Sequence, residues 1–521
     1  MSRVAVIGAG IAGLATAALL GADGHDVTVF EANAEVGGRV GRWDAAGFRF
    51  DTGPSWYLMP EVFEHFYRLL GTSTADQLEL VRLDPGYRIY FEGRDAAMDL
   101  YTDRSRSADV FEAIEPGAGA ALGRYLDSAA ETTRLALDHF LYNDFSAPGT
   151  LAVPAVLRRA GRLGRLLFQP LDRFVAGRFR DPRLRQVLGY PAVFLGTSPS
   201  AAPSMYHLMS HFDLDDGVWY PQGGFRELID GIDRLNRSVG NRVVTNARVT
   251  DIRVEHGAAR GIRYLDAGGT AQQVDADVVV STADMHHTET SLLPVRSRSR
   301  SDASWKRGDP GPGAVLVMLG VRGELPALLH HTLFFTEDWS VNFDRIFGAV
   351  PSVPEPASLY VCKPSASDPT VAPPGCENLF VLVPVPADPS LGRGGIDGAG
   401  DRVVEQVADA VIAQIASWAG IPDLAARIVV RRTVGPGDFE SDFNSWCGSA
   451  LGPGHTLRQS AFLRGRTTSR TVRGLYFAGA TTVPGIGLPM CLISAELVAK
   501  AIRGDRSAGP LQEPLARTAV A

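Results

Sequence analysis

Three glycines near the start of the chain have the spacing that a dinucleotide diphosphate requires. Gly8, Gly10 and Gly13 follow the apolar run 4–7 and precede an Ala/Leu-rich run, 14–20, that is predicted to be a helix. Gly8 permits a tight turn, Gly10 lets the backbone approach a pyrophosphate, and Gly13 lets a helix pack closely on a strand. The N-terminus of that helix adds N–H donors and a positive dipole. We therefore predict a nucleotide-binding strand–turn–helix unit rather than a purely structural turn.

A carboxylate and a second glycine pair narrow the choice of nucleotide. Glu31 ends a second apolar run, at the spacing where a carboxylate accepts hydrogen bonds from a ribose 2′-hydroxyl. Such an acid favours FAD or NAD over NADP. Gly37 and Gly38 would let the main chain run beside a diphosphate, and Arg39 would supply a fixed cation. NAD dehydrogenases have no need of this pair, so we predict FAD; an ordinary loop with one surface arginine is the alternative.

A third glycine-rich segment, 474–490, lies near the C-terminus. It is predicted to end a strand and to lead into a helix over 491–502. Gly479 and Gly487 would let an isoalloxazine ring lie against the backbone, with Leu488 beside it. The helix N-terminus would direct its positive dipole at the pyrimidine end of the ring, where charge accumulates on hydride uptake. The phosphate turn and this turn should therefore meet around one cofactor.

Three further residues are predicted to contact the cofactor. Gly53 and Pro54 lie in the run 50–55, and Val249 lies in a predicted strand, 243–250. Val249 is expected to pack against the adenine through its backbone and side chain.

Few residues are candidates for acid–base chemistry, and we assign no catalytic residue. The candidates are Asp138, His139, His207, His211, His455 and Gln459. His207 and His211 lie one helical turn apart but have no third ligand, so no metal site is predicted.

Composition sets broad limits on the kind of protein. A chain of 521 residues predicts two intertwined domains. Its net charge of −7 argues against nucleic acid as a partner. The four cysteines form no CxxC pair, which fits a reducing, cytosolic compartment. The first apolar stretch is broken by glycines, so we expect neither a signal peptide nor a membrane span.

The pattern predicts an α/β fold, with a Rossmann-like FAD-binding domain that is discontinuous in sequence and a mixed α+β substrate domain. The FAD-binding domain is predicted from 1–95, 222–290 and 430–504, the substrate and membrane-associating domain from 96–221 and 291–429, and a disordered tail from 505–521.

A basic amphipathic stretch, 151–185, has leucines that alternate with arginines and few acids. Such a stretch is typical of a surface that binds anionic membranes. A solvated basic face on a helix of the substrate domain explains the same pattern, and the residues alone do not decide between the two.

Together these motifs resemble the bacterial phytoene desaturases, within the wider group of FAD-dependent amine oxidases and carotenoid desaturases. The segments that carry the resemblance are 8–13, Glu31, 37–39, 50–55, 198–208, 220–225, 448–460 and 475–490. The resemblance covers nearly the whole chain, and its middle segments are more specific to carotenoid desaturases than the FAD motifs are.

The resemblance implies successive flavin-dependent dehydrogenation of 15-cis-phytoene, through to all-trans-lycopene. It implies a long apolar tunnel, which residues 100–220 and 310–430 could line, and quinone or oxygen as the electron acceptor. A substrate that dissolves only in the bilayer favours a cytoplasmic protein that is peripherally associated with the cytoplasmic membrane. Some related amine oxidases attach FAD through a cysteine, but the neighbours of Cys447 resemble the carotenoid pattern, so FAD is expected to be non-covalent.

Other functions stay open at this point. Within enzymes they are a desaturase of a shorter or hydroxylated carotenoid, a ketolase, a redox-dependent isomerase, or an amine oxidase. A non-catalytic prenyl-lipid carrier is a different class. Arg39 and the complete C-terminal turn argue against the carrier.

Overall fold

The computed structural model describes residues 1–146 and 148–515. The strands are β1 Arg3–Ile7, β2 Asp26–Phe30, β3 Arg42–Ala45, β4 Phe48–Asp51, β5 Leu80–Arg82, β6 Tyr87–Phe91, β7 Met98–Leu100, β8 Trp219–Pro221, β9 Arg242–Val244, β10 Arg248–Glu255, β11 Ala258–Leu265, β12 Ala271–Asp275, β13 Val278–Ser281, β14 Gly313–Arg322, β15 His331–Phe335, β16 Leu359–Cys362, β17 Cys376–Val385, β18 Ile428–Val434 and β19 Leu475–Phe477.

The α-helices, with short 3₁₀ and π-helical turns between them, follow the same chain order. They are α1 Ile11–Ala22, α2 Pro60–Leu69, α3 Thr74–Gln77, α4 Arg104–Ile114, α5 Ala118–Ala136, α6 Pro154–Leu157, α7 Ala160–Phe168, α8 Leu171–Ala176, α9 Pro182–Gly189, α10 Pro191–Phe194, α11 Met209–His211, α12 Arg226–Ser238, α13 Met285–His287, α14 Asp302–Trp305, α15 Trp339–Phe347, α16 Arg402–Trp418, α17 Leu424–Arg427, α18 Pro436–Phe443 and α19 Leu488–Arg503.

A parallel sheet draws its strands from distant parts of the chain. Its order is β19-β13-β1-β2-β9. β1 lies in the middle, where Val4 pairs with Val278 of β13 and with Val27 of β2. Helix α1 is buried over nearly its whole length and packs against α12 and α19. The predicted α/β fold, with a discontinuous Rossmann-like sheet, is confirmed.

The second large sheet is mixed, in the order β18-β14-β17-β16-β15-β6-β7. β15 pairs with β6 in parallel, and the other neighbours pair antiparallel. Strand β14, which lies next to the edge strand β18, is buried on both faces. Leu316 and Met318 pack in a core with α5, α8 and α9, whereas Val315 and Val317 pack in a core with α16. The sheet therefore separates a helical layer from α16.

Two strands correct the predicted domain boundaries. β6 belongs to the mixed sheet, although residues 1–95 are predicted as FAD-binding. β18 belongs to it as well, although the boundary at residue 430 would cut this strand. Both strands pair with partners that lie far away in the chain, and a local pattern does not reveal such partners.

Helices α4 and α5 follow each other with only a short break. α4 ends at Ile114 and α5 begins at Ala118, because Pro116 and Gly117 stand between them. Gly117 has a φ of 87°, a left-handed conformation that glycine adopts without strain.

The predicted disordered tail is wrong for residues 505–515. Leu511 is buried and its N–H donates to the Glu496 carboxylate at 2.6 Å. Lys500 Nζ donates to the carbonyls of Ser507 and Gly509. Because a buried leucine and buried hydrogen bonds hold it, the segment lies on the body of the protein. Residues 516–521 lie outside the described residues.

Candidate functional site

The first glycine turn has the geometry that the sequence predicts. Gly8 has a φ of 96°, and a Cβ on Gly13 would lie only 1.9 Å from the Gly8 carbonyl oxygen. Gly10 is the N-cap of α1, and no side chain caps this helix. A Cβ on Gly10 would meet nothing nearer than the Gly37 carbonyl oxygen at 3.9 Å. Gly13 therefore serves the packing of helix on strand, and Gly10 leaves an open cradle at a helix N-terminus.

Glu31 lies at the end of β2, beside this turn. Its carboxylate accepts hydrogen bonds from the backbone N–H of Ala9 at 2.7 Å and of Asn33 at 2.9 Å. Only 6% of the residue is exposed, and it lines the same cavity as Gly8. Val249, in β10 of a small antiparallel sheet, lines this end of the cavity as well. The contacts that these residues make with a ribose and an adenine remain predictions.

The second glycine pair packs backbone against backbone. The Gly37 N–H donates to the Ala9 carbonyl at 2.8 Å. A Cβ on Gly38 would lie 3.3 Å from the Gly10 Cα, and one on Gly53 would lie 2.0 Å from the Arg39 carbonyl oxygen. A larger residue at position 53 would therefore displace the segment that carries Arg39.

Arg39 places an unpaired cation at the cavity wall. One guanidinium nitrogen donates to Ser445 Oγ at 2.5 Å, whereas the buried Nε has no hydrogen-bond partner among the residues that the structure describes. It forms no ion pair within 4 Å with any carboxylate of the described residues. Burial lowers the pKa of Arg39, although the Asp284 carboxylate opposes this shift. An unneutralised buried cation suits an anionic ligand.

The C-terminal turn meets the N-terminal one. Gly479 has a φ of 108°, and a Cβ there would lie 3.5 Å from the Ala12 Cβ in α1. Gly487 is the N-cap of α19, again with no side-chain cap, and Leu488 begins that helix. The ends of the chain therefore fold together, as the sequence predicts.

All the predicted cofactor residues except Gly13 line one continuous cavity of about 630 Å³, and Pro54 is among those that line it. Its polar end has the open cradle at Gly10, the unpaired cation of Arg39 and two helix N-termini without side-chain caps. These features fit the diphosphate and the ring of FAD.

His455 is the only acid–base candidate of the sequence that lines the cavity within the described residues. Its Nε2 lies 3.2 Å from the Ile486 backbone nitrogen, so Nε2 accepts that N–H. Its Nδ1 lies 2.6 Å from Tyr206 Oη, so Nδ1 is the protonated nitrogen. Burial and the Arg464 cation hold the pKa of His455 well below its usual value. His455 is therefore a neutral residue that fixes the turn before α19, and it is not placed as a base.

Arg464 is a second buried cation that the sequence analysis missed. It donates to the backbone carbonyls of Thr482 at 3.0 Å and of Ala480 at 2.5 Å. Burial lowers the pKa of Arg464 to about 10. It orients the carbonyls of the C-terminal turn, and nothing in its local sequence distinguishes it from the many surface arginines.

The other acid–base candidates lie away from the cavity. His207 is buried between Ser204 and Ser128, where burial lowers its pKa to about 4. His211 pairs with Asp215 instead of facing His207. The two histidines therefore have separate partners and do not face each other as metal ligands.

The remaining candidates lie outside the cavity too. The Gln459 amide bonds the backbone of Asp309, and Asp138 and His139 lie in the π-helical turn Leu137–Leu141 without lining the cavity. Cys447 does not line it either, whereas Cys491 does. Burial raises the pKa of Cys491 to about 11, which keeps that thiol protonated.

Beyond the polar end, the cavity wall is apolar and aromatic. It is formed mainly from the stretches 132–212 and 316–384, inside the ranges expected for a tunnel. The rings that line it include Trp56, Tyr190, Phe194, Phe335, Trp339 and Phe380.

A buried carboxyl stands behind this wall. Tyr190 and Tyr87 both donate to Asp213 Oδ2, at 2.5 Å and 3.1 Å. Burial raises the pKa of Asp213 to about 7. These hydrogen bonds fix the Tyr190 ring in the wall, and the sequence does not reveal them because the three residues lie on β6, α9–α10 and a π-helical turn.

Comparisons with known proteins agree with this geometry. The family model for flavin containing amine oxidoreductases matches residues 11–503. A carotenoid 3,4-desaturase of Haloarcula japonica is 40% identical over 96% of this chain and 98% of its own length. A zeta-carotene-forming phytoene desaturase of Myxococcus xanthus is 35% identical over 95% of this chain and 93% of its own.

Solved structures share the fold. An oxidoreductase of Methanosarcina mazei superposes with a TM-score of 0.63 at 17% identity, covering 96% of this chain and 100% of that one. Cyclohexylamine oxidase of Brevibacterium oxydans superposes with a TM-score of 0.58 at 14% identity, covering 96% of this chain and 99% of that one.

Proposed function

Because the chain belongs to the flavin containing amine oxidoreductases, in the branch of the FAD-dependent carotenoid desaturases, we propose that it desaturates carotenoids with non-covalent FAD. The proposed substrate is 15-cis-phytoene, which is dehydrogenated in successive steps to all-trans-lycopene. The observation that carries this proposal is the cavity, which runs from the two glycine turns into an apolar, aromatic interior.

An apolar cavity suits a C40 hydrocarbon, because such a substrate offers no hydrogen bonds and must be positioned by shape. When bound, FAD supplies the acceptor of a hydride. The chain contributes the rest: Arg39 binds the anionic diphosphate, and His455 and Arg464 hold the turn before α19 rigid. The aromatic wall around Trp56 and Tyr190 excludes water and aligns the polyene.

The relatives support a carotenoid substrate but differ in the bond on which they act. The Myxococcus xanthus relative is named for zeta-carotene formation from phytoene, and the more similar Haloarcula japonica relative is named for 3,4-desaturation. Desaturation at the 3,4 position of a more unsaturated carotenoid is therefore the second candidate function.

Expression in cells that accumulate phytoene, followed by pigment analysis, tests the proposal. Red lycopene supports the main proposal. Zeta-carotene or neurosporene as the end product would indicate that the protein carries out fewer desaturation steps. Unchanged phytoene, together with 3,4-didehydro products in cells that accumulate lycopene, favours the second candidate. Unchanged pigments in both hosts would refute desaturation.

We also propose that the protein docks on the surface of the cytoplasmic membrane from the cytoplasm. No helix of the described residues is long and apolar enough to cross a bilayer. The exposed large apolar side chains nevertheless include Leu157 (60%), Phe168 (72%), Phe462 (57%) and Leu463 (49%).

One of these side chains contacts a lining residue of the cavity. Phe462 contacts Phe145, with ring centroids 6.4 Å apart, and Phe145 lines the cavity. Ala461 and Leu163 of α7 line it as well. A membrane that covered Phe462 and Leu463 would thus lie next to the entrance for an apolar substrate.

The basic stretch contributes less charge than its composition suggests. Arg159 and Arg162 both pair with Glu131, whereas Arg158 and Arg165 are exposed and available to lipid phosphates. Docking should therefore depend more on apolar insertion than on charge.

Sedimentation with phosphatidylglycerol vesicles tests the docking proposal. We expect the double variant Phe462→Asp/Leu463→Asp to lose binding. Ile396→Asp, at a residue that is 54% exposed and bridges to Arg432 of β18, should keep it. Equal binding by both variants, or no binding by the unmodified protein, would contradict the proposal.

The electron acceptor is proposed to be quinone or oxygen, and the rate at which each reoxidises the reduced protein decides between them.

A further inference from the structure

A hydrogen-bonded row of three side chains leads away from the apolar cavity. Tyr360 Oη donates to Ser55 Oγ at 2.8 Å and lies 2.7 Å from His331 Nδ1. Ser55 and Tyr360 line the cavity, whereas His331 lies behind them and is fully buried. Ser55 follows Gly53 and Pro54, which are predicted to contact the cofactor. The row therefore begins beside the cofactor end of the cavity.

The hydrogens of this row can be arranged in two directions. With Tyr360 donating to Ser55, the Nδ1–H of His331 donates to Tyr360. If the two hydroxyls rotate, Ser55 donates to Tyr360, and Tyr360 donates to His331 Nδ1. The same heavy-atom positions serve both arrangements, as a proton relay requires.

The inner end of the row lies beside a second imidazole, that of His330. Neither His331 Nε2 nor His330 Nε2 has a hydrogen-bond partner in the described structure. Their ring centroids are 4.6 Å apart, and a ring nitrogen of each lies within 4.8 Å of one of the other. His330 Nδ1 lies 3.0 Å from Oγ of the half-buried Ser367.

We propose that Ser55, Tyr360 and His331 form the relay that carries the substrate proton out of the cavity, an inference that rests on the proposed desaturation. A dehydrogenation removes one hydrogen as hydride and one as a proton. Most of the cavity wall beyond the cofactor end is apolar, and the candidate histidine, His455, is committed to Ile486 and Tyr206. The row supplies the missing path for the proton.

The step balances in atoms and electrons. After hydride has left one carbon for bound FAD, the C–H bond of the neighbouring carbon breaks, and its electron pair becomes the new π bond. Ser55 Oγ takes the proton and passes its own to Tyr360 Oη, and Tyr360 passes its own to His331 Nδ1. Each hydroxyl recovers its proton count. His331 gains the proton on Nδ1 and releases the one on Nε2 to the neighbouring His330, whose Nδ1 faces the half-buried Ser367.

The surroundings keep His331 in line with Tyr360. The Trp56 ring stacks on the imidazole with centroids 4.2 Å apart and planes 9° apart. Cys362, the cross-strand partner of His331, lies close enough for His330, His331 and Cys362 to be read as a metal-ligand group. A bound metal would occupy the ring nitrogens that the relay needs, so metal content is part of the test.

The test compares Tyr360→Phe with Tyr90→Phe, which loses a tyrosine hydrogen bond outside the cavity. We expect anaerobic flavin reduction by substrate to slow about 100-fold or more in Tyr360→Phe, the usual contribution of a positioned proton acceptor. FAD content and substrate affinity should not change, and Tyr90→Phe should match the unmodified protein. Ser55→Ala is the second variant, in case Tyr360→Phe does not fold.

A spectroscopic readout separates a relay from a structural contact. The ¹⁵N signals of His331 should shift in Tyr360→Phe without substrate present, because Nδ1 loses its partner. In mixtures of H₂O and D₂O, the dependence of the flavin reduction rate on the D₂O fraction should indicate that several protons move together in the unmodified protein. The same measurement on Tyr360→Phe should not indicate this. Equal reduction rates in Tyr360→Phe and Tyr90→Phe, or a stoichiometric metal in the purified protein, would overturn the relay. If no carotenoid reduces the flavin of the unmodified protein, the proposed function fails instead.

Discussion

The ring of His455 fills the space that a side chain on Gly485 would need. A Cβ on Gly485 would lie 2.2 Å from both Cε1 and Nε2 of that ring, and Gly485 has a φ of 146°. The neighbouring Ile486 N–H donates to the same Nε2 at 3.2 Å. The turn before α19 is thus shaped by one neutral histidine, and the ring of FAD is expected to rest on this turn.

Gly485→Ala should therefore lower the flavin content of the purified protein. The added methyl group would displace His455 and the carbonyls that face the cofactor. Gly398→Ala is a matched control, since Gly398 also has a positive φ, 84°, but has nothing within 4 Å of its Cβ position. The control should lose about 1 kcal/mol of stability and keep its flavin. Equal flavin-to-protein ratios in the two variants would contradict the role of His455.

Gly10→Val and Gly13→Val should fail in different ways. A Cβ on Gly10 points into the open cradle, so Gly10→Val should fold but lose FAD. A Cβ on Gly13 would lie 1.9 Å from a backbone oxygen, so Gly13→Val should unfold at a lower temperature even without FAD. Thermal unfolding of the apoproteins and FAD titration measure the two effects. Flavin retained by Gly10→Val would contradict the placement of the diphosphate.

Arg39→Met should weaken FAD binding without destabilising the apoprotein. Arg39 is a buried cation without a carboxylate partner in the described structure, so its removal relieves a desolvation cost of the empty protein. A hydrogen bond to a charged group contributes about 1.5–3 kcal/mol, which corresponds to roughly 10-fold to 150-fold in the dissociation constant of FAD. An unchanged dissociation constant would place the diphosphate elsewhere.

The C-terminal segment 505–515 should be held more firmly at low pH. His65 places its two ring nitrogens against the carboxylates of Glu496 and Glu513, so it is bound as an imidazolium. Burial opposes protonation, but these two hydrogen bonds raise the pKa of His65 above its usual value. Arg68 also faces Glu513, and the Tyr142 ring packs on His65.

The direction of this pH dependence follows from the raised pKa of His65. The contribution of His65 is complete below the pKa of about 6.5 in the unfolded chain and is lost as the pH rises through the folded value. Hydrogen exchange of 505–515, corrected for intrinsic rates, should therefore accelerate above neutral pH. His65→Gln should abolish this dependence. A dependence that persists in His65→Gln would assign it to another group.

The cofactor residues could be predicted from the sequence because each group of them is contiguous. Gly8, Gly10 and Gly13 share one turn, and Gly479 and Gly487 share another. The parallel sheet then brings the two turns together, since β1 and β19 both flank β13. The local apolar runs around these turns also predict which segments are strands and which are helices.

The cavity wall and the relay could not be predicted in this way. His331 and Tyr360 meet because β15 pairs with β16, and Ser55 reaches them from a third, distant segment. Asp213 reads as a surface acid until the structure shows it buried behind Tyr190. The packing of residues 505–515 was missed for the same reason, because Lys500 and Glu496 hold that segment from within α19.

An anaerobic single turnover measures most directly whether one bound FAD faces a cavity for carotenoids. The FAD-loaded protein is mixed with phytoene in anionic vesicles, and the flavin and polyene absorbances are followed together. We predict that the flavin is bleached while one new conjugated double bond forms for each flavin reduced, and that Gly10→Val shows neither change. A flavin that stays oxidised with phytoene and with lycopene alike, in a protein that retains its FAD, would contradict the proposed desaturation.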